Sequence, residues 1–174
     1  MNGPNGTVGL DGHLANKGDP MADGTASAVT RGIMRLFHRH DIFGMAEVPL
    51  PNGRRTDVMA IDAKGHIIIV EIKCSRQDLL GDAKWMDYLD YCDRFFWAAP
   101  AGFDLSLFEG NGLLPARTGL IAADQYDAEI IRPAPTEPLA AARRKAEILR
   151  FGRRATRRLM AQADPDYIRD FSGI

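Results

Sequence analysis

The stretch that most limits what this chain can become is Ile67-Ile68-Ile69-Val70, which runs without a break into Glu71-Ile72-Lys73. An apolar, β-branched run of this kind reads as a central strand covered on both faces, so the fold needs layers on either side of a sheet. A charged pair at the end of such a strand is costly unless it is paired or functional. Just upstream, Asp57-Val58-Met59-Ala60-Ile61 reads as a second strand. Asp62-Ala63-Lys64-Gly65-His66 is a polar connection of hairpin length. A hairpin turning about Lys64 pairs Ile61 with Ile67 and sets Asp57 opposite Glu71, with Cβ atoms roughly 5 Å apart. Strand alternation then puts Glu71 and Lys73 on one face and Ile72 on the other. A slip of one residue would scatter the set.

The rest of the chain supplies the layers. Residues 1–24 are rich in Gly, Asn and Asp and carry few large apolar groups, so they are expected to form a disordered arm. From Thr25, the positions Val29, Ile33, Leu36 and Phe37 recur at helical spacing. Residues 45–50 read as a short strand, ended by Pro51 and the Asn52-Gly53 turn. Ser75 is a good N-cap for a helix over 77–90, with Leu79, Leu80, Ala83, Met86 and Leu89 facing inward. Strands are expected at 94–99, 118–122 and 128–131, and Pro133, Pro135 and Pro138 mark a linker. A long helix over 139–160 follows, then a loose tail over 161–174. The order α-β-β-β-α-β-β-β-α predicts one α/β domain over residues 25–160, a mixed β-sheet core flanked by helices.

The two acids and the amine suggest metal-assisted chemistry. Two carboxylates side by side repel unless something positive sits between them. Mg²⁺ or Mn²⁺ suits that place, since a hard ion prefers oxygen ligands. The ion can polarise a phosphoryl oxygen and acidify a water, and Lys73 can hold the attacking water or stabilise developing negative charge. An acid two positions before a lysine arises about once by chance in a chain of this length. The apolar strand around it carries the argument; the plain alternative is an ordinary ion pair at a strand end.

Charge distribution points the same way. The net charge of −1 argues for no polyanionic partner by itself. The last helix nevertheless gathers Arg143, Arg144, Lys145, Arg150, Arg153, Arg154, Arg157 and Arg158, with Glu147 its one acid through Leu159. Leu139, Ala142, Ala146 and Leu149 would form its inner stripe. Such a helix suits tracking of a phosphate backbone, and a solvated helix or one facing an acidic protein is the alternative. Arg54 and Arg55, at the mouth of the proposed site, could grip phosphate oxygens or be solvated turn residues. Lys84, Asp87 and Tyr88 would share a helix face, with Lys84 within reach of phosphate and Tyr88 able to hydrogen-bond near the site; the plain alternative is Trp85 in the core and a Lys84–Asp87 surface pair.

Other features exclude. Cys74 and Cys92 form no CxxC pattern, so a reduced, cytoplasmic protein is expected, with Cys74 as packing. His38, His40 and His66 lack ligand spacing with cysteine, which argues against zinc. No apolar run is long enough to cross a bilayer, and the start Met1-Asn2-Gly3-Pro4 does not resemble a signal peptide.

Asp57 followed by Glu71-Ile72-Lys73 resembles the PD-(D/E)xK nuclease superfamily. More closely, the chain resembles the MmcB-like family of bacterial DNA repair proteins. The resemblance is carried by Gly53-Arg54-Arg55-Thr56-Asp57-Val58, Val70-Glu71-Ile72-Lys73, the segment 84–95, Thr118-Gly119-Leu120-Ile121, and the segment 140–146, and it spans roughly residues 25–158. It implies a restriction-endonuclease-like core, Asp57 and Glu71 as metal ligands, and Lys73 as the catalytic lysine. It also adds weight to Lys84 as a DNA contact. Thr56 stands where the superfamily often has Pro. Many members place a Glu in the first helix, but residues 25–40 contain no acid. Glu47 could take that place as a third ligand, or be a solvated strand-end carboxylate. The resulting expectation is a Mg²⁺-dependent, DNA-repair endonuclease acting at the nucleoid. Arg54, Arg55, Lys84, Arg143, Arg144, Arg150 and Arg154 would hold DNA, with Asp87 and Tyr88 in support. Two other readings stand beside it: a DNA-binding repair factor of the same fold without hydrolysis, which recruits repair proteins, and a protein-binding module using the Arg-rich helix.

Overall fold

The apolar run lies where its composition places it, in the middle of a six-stranded sheet of order β1-β2-β3-β4-β5-β6. The computed structural model describes residues 20–81, 84–164 and 166. The elements are α1 (Pro20–Arg39), β1 (Ile42–Pro49), β2 (Arg55–Asp62), β3 (Ile67–Ile72), α2 (Arg76–Gly81), a 3₁₀ helix (Trp85–Tyr91), β4 (Arg94–Pro100), short 3₁₀ turns at Leu105–Glu109 and Asn111–Leu113, β5 (Gly119–Ala123), β6 (Ala128–Arg132) and α3 (Ala141–Ala163). β1, β2 and β3 form an antiparallel meander, β3, β4 and β5 run parallel, and β6 returns antiparallel. This is the predicted mixed α/β sheet flanked by helices.

All six residues of β3 are buried, because both faces of the sheet are covered. On one face, Val29, Ile33, Leu36 and Phe37 of α1 pack on Val58, Ile68, Val70, Phe96 and Ile121. On the other, Leu79, Trp85, Tyr88, Tyr91 and Phe108 cover Met59, Ile67, Ile69, Phe95 and Trp97. Trp85, Phe95 and Trp97 form a triangle with ring centroids 5.0 to 5.3 Å apart, in tilted and edge-on arrangements that suit aromatic quadrupoles.

α1 crosses the β5–β6 turn at Gly32. A Cβ there would stand 2.2 Å from the Asp124 carbonyl oxygen and 2.4 Å from that of Asp127, both backbone atoms that cannot swing aside. Alanine would gain about 1 kcal/mol of helix propensity, but forcing the helix off the turn costs about 1–3 kcal/mol or more. Gly32→Ala is therefore expected to lower the thermal midpoint by several degrees, measured by circular dichroism, despite the better helix former.

Three expectations change. α1 begins at Pro20, inside the stretch assigned to the arm; proline suits a first helical turn, where its missing N–H would have no partner. Residues 1–19 of that arm lie outside the described residues, as do 167–174 of the tail, while α3 runs on to Ala163. The single helix over 77–90 is instead two pieces. α2 is described over Arg76–Gly81, and the second piece winds as a 3₁₀ helix over Trp85–Tyr91. At three residues per turn, Trp85, Tyr88 and Tyr91 stack above one another and all face the sheet. Two residues predicted to be inside are exposed: Met86, turned out by the 3₁₀ winding, is 54% exposed, and Leu80, on α2 beside the buried Leu79, is 69% exposed. Ala83 lies outside the described residues.

Candidate active site at a strand fork

The hairpin register is the one predicted: Ile61 pairs with Ile67, and the ladder continues to Val58 and Val70. There β2 and β3 part. β2 stays with β1, pairing Thr56 with Val48, while β3 stays with β4, pairing Glu71 with Trp97 and Ile72 with Ala98. Side chains take over the hydrogen bonds the ladder leaves. The Asp57 amide donates to Glu71 Oε1 at 3.3 Å, and the Ile72 amide donates to Asp57 Oδ2 at 2.7 Å. Asp57 and Glu71 therefore sit across a fork, fixed to each other's backbone.

Lys73 continues β3 by donating its amide to the Ala98 carbonyl at 2.8 Å. Glu71 and Lys73 are both buried, an unusual place for charged groups. The Lys73 ammonium lies 5.7 Å from the centre of the Trp97 ring and 3.7 Å from Asp78 Oδ1. The predicted convergence of Asp57, Glu71 and Lys73 on one face is thus present. Burial pushes the Asp57 carboxyl up from 3.8 to about 6; the Ile72 amide and Lys73 hold it down, and Glu47 and Asp78 add to the rise.

Asp78 escaped the sequence reading. Its amide donates to Ser75 Oγ at 3.1 Å, so Ser75 is the N-cap of α2 and Asp78 its third residue. The signal was there in Ser75-Arg76-Gln77-Asp78, a cap two residues beyond Lys73 followed three residues later by an acid. Cys74 packs with the α1 face of the sheet, as expected. Its thiol is pushed up to about 11 by desolvation and the nearby Asp78 and Asp57.

Glu47 occupies the position on β1 between the pairs Ala46–Val58 and Val48–Thr56, and its φ is 55°. A left-handed conformation is rare for glutamate inside a strand and is held here by neighbours. Arg158 of α3 donates to the carbonyls of Ala46 at 2.6 Å and Glu47 at 2.8 Å, pinning the kink. The Glu47 carboxylate pairs with Arg55 at 2.5 Å and remains half exposed. Among the described residues, no three His, Cys, Asp or Glu side chains are grouped to enclose a metal ion.

Several predicted DNA contacts have partners within the protein. Arg54 is bound by Asp87 through two nitrogens at 2.8 and 3.1 Å, and Asn52 donates to the Asp87 carbonyl. Tyr88 donates to the Arg55 carbonyl at 3.0 Å. Asp87 and Tyr88 thus anchor the turn that leads into Asp57, and Asp87 pairs with Arg54 rather than on the surface with Lys84. Lys84 is exposed.

The inner face of α3 is the clearest correction. Leu149 is 57% exposed and Ala142 is exposed, whereas Glu147 is 1% exposed and Arg144, Phe151, Arg154 and Arg158 are half-buried. The stripe that faces the body is mixed: Leu139 and Phe151 pack on the core and Ala146 is half-buried, as the apolar reading of Leu139 and Ala146 expects, while polar partners draw Arg144 and Arg158 to the same side. Arg144 pairs with Asp93, whose side chain is wholly buried, and Arg150 pairs with Glu147. Arg143 lies over the Tyr91 ring, 5.1 Å from its centre. Arg144 is therefore a structural residue, and Arg150 is partly committed to Glu147.

Comparison with known proteins agrees with this architecture. A family model described as DNA repair protein MmcB-like matches residues 15–166. A solved structure of a protein of unknown function from Silicibacter pomeroyi is 45% identical, with a TM-score of 0.73; the match covers 82% of this chain and 93% of that one. A repair endonuclease from Pyrococcus abyssi is 19% identical over 53% of this chain and 42% of its own, and its TM-score of 0.33 is too low to carry weight. No curated protein matches. Among the described residues, no helix is long and apolar enough to cross a membrane.

Proposed function

Since the chain belongs to the MmcB-like family of DNA repair proteins, we propose that it is a divalent-metal-dependent endonuclease that hydrolyses phosphodiester bonds in DNA. The observation that carries this reading is the fork itself: two carboxylates fixed across parting strands, with a buried lysine on the same face. The donor set suits Mg²⁺ or Mn²⁺. It is all oxygen, and the Asp57 carboxyl, pushed up to about 6 by desolvation, has a place for a cation. Asp57 and Glu71 would hold the ion, completed by waters, with Glu47 as a further ligand if its Arg55 pair opens. When bound, the ion supplies polarisation of a phosphoryl oxygen and an acidified water.

Lys73 contributes an ammonium already desolvated and positioned, so it stabilises charge developing on the phosphate without reorganising. Trp97 and Asp78 hold it in place. Arg153, Arg154 and Arg157 on α3 would meet the DNA backbone, together with Lys84.

The test is a cleavage assay on several labelled DNA structures, with Mn²⁺, Mg²⁺ or EDTA, beside calorimetric metal titration. Cleavage that EDTA abolishes is the expected result. The metal affinity also carries a pH signature. A carboxyl of pKa about 6 is ionised in only about a tenth of molecules at pH 5, so binding there should be about tenfold weaker than above pH 7. A flat profile would remove Asp57 from the ligand set. A second reading keeps the fold and DNA binding without hydrolysis, and is favoured by the absence of a three-acid cluster among the described residues. It predicts no metal binding with DNA affinity intact.

A further inference from the structure

α3 does not lie flat on the sheet. Its first turns are tied to Asp93, at the start of β4, and Arg158 is tied to the carbonyls at the β1 kink. Between these anchors, a cleft of about 850 Å³ opens between α3 and the β1–β2 edge. Its floor is Val48, Leu50 and Met59. Met59 is two residues from Asp57 on the same face, and Val48 follows Glu47, so the cleft borders the strand positions that flank the fork. The helix side adds the exposed apolar groups Leu149 and Met160, with Phe151 between them. Arg153, Arg154 and Arg157 line the same wall.

A surface that holds the backbone of duplex DNA needs chiefly cations and polar groups, because a duplex presents phosphates and stacks its base faces away from the protein. Exposed apolar groups beside a row of guanidinium groups suit a strand whose bases are unstacked, with phosphates on the arginines and bases on Leu149, Phe151 and Met160. The volume is that of a small-ligand pocket, far too narrow for a double helix. On the reading that the chain acts on DNA, we infer that the α3 cleft binds single-stranded DNA and delivers the unpaired strand to the Asp57–Glu71 fork. The match of cationic wall to polyanionic strand selects this occupant over an apolar peptide.

The experiment is fluorescence anisotropy of the full chain in EDTA, which separates binding from any cleavage. The probes are a labelled oligothymidylate of about twenty nucleotides and a duplex of about the same length. The single strand should bind at least about tenfold tighter than the duplex, and affinity should fall steeply with salt. Leu149→Glu and Met160→Glu place a carboxylate in the cleft from exposed positions, so the fold is spared. Each should weaken single-strand binding about tenfold or more. Leu159→Glu is also exposed but lies outside the cleft lining, and should have a smaller effect. Equal affinity for both probes, or equal loss from Leu149→Glu and Leu159→Glu, would overturn the cleft assignment while leaving DNA binding standing. Binding of neither probe would overturn both, and would favour a protein partner.

Discussion

Replacing Lys73 by alanine should reduce metal-supported DNA cleavage by about a hundredfold to a thousandfold, the usual cost of removing one preorganised charge from a reacting phosphate or acyl group. The same variant should still bind Mn²⁺, because the oxygen ligands remain. Asp57→Asn and Glu71→Gln should abolish cleavage to a similar degree and also lose the metal. The amides keep neutral oxygens where the Ile72 and Asp57 N–H groups donate, so the fork should survive. The contrast between Lys73→Ala and the two carboxylate variants is the informative part: a metal site with an independent lysine predicts that calorimetry splits them. Undiminished cleavage by purified Glu71→Gln would remove the nuclease assignment, and loss of metal in all three would mean that Lys73 merely holds the fork together.

Replacing Asp93 by alanine should destabilise the fold by about 3–5 kcal/mol, the cost of breaking a buried ion pair from one side. Asp93 is the knot between three segments. It accepts the Ile67 amide at 2.8 Å, the Leu139 amide at 2.8 Å and the Arg144 guanidinium, while its own carbonyl accepts the Glu137 amide at 2.8 Å. Its side chain is entirely buried. Desolvation works against the charged form, but Arg144 and the two amides outweigh it, and the carboxyl sits below its ordinary 3.8. That stabilisation is present at neutral pH and is lost as pH falls below about 4. Alanine would strand the buried Ile67 amide, the half-buried Leu139 amide and a guanidinium, a large share of the roughly 5–15 kcal/mol that keeps a domain folded. Urea unfolding reads the loss directly. Asp93→Asn keeps an acceptor and should cost less, and Asp93→Ala combined with Arg144→Ala should cost less than the sum. Alanine with no measurable effect would mean that α3 is held by its other contacts. Enhanced proteolysis at 133–140 is the expected companion of the loss, since the linker and α3 are what Asp93 secures.

Much of the site was readable because strand chemistry is local. Alternation and a short polar connection suffice to set Asp57 against Glu71 and to bring Lys73 onto the same face, and the register found is the one those rules give. The same local reasoning identified β3 as doubly covered. Where the reading failed, partners distant in sequence decided the outcome. Periodicity chose Ala142 and Leu149 for the inner face of α3 because they are apolar. Asp93, about fifty residues upstream, and the β1 carbonyls offered polar partners instead, and Arg144 and Arg158 turned inward. Arg54 likewise was available for phosphate until Asp87 was placed beside it.

What the sequence determined alone is a buried strand flanked by helices, with two acids and an amine at its end, because side-chain polarity and a period of two leave few alternatives. What the tertiary structure decided is how those groups are presented: the parting of β2 from β3, the kink at Glu47, and the arginines on the underside of α3. Each of these depends on a hydrogen bond or ion pair between residues far apart in the chain. Local periodicity carries no record of such partners, so they become visible only when the chain has folded.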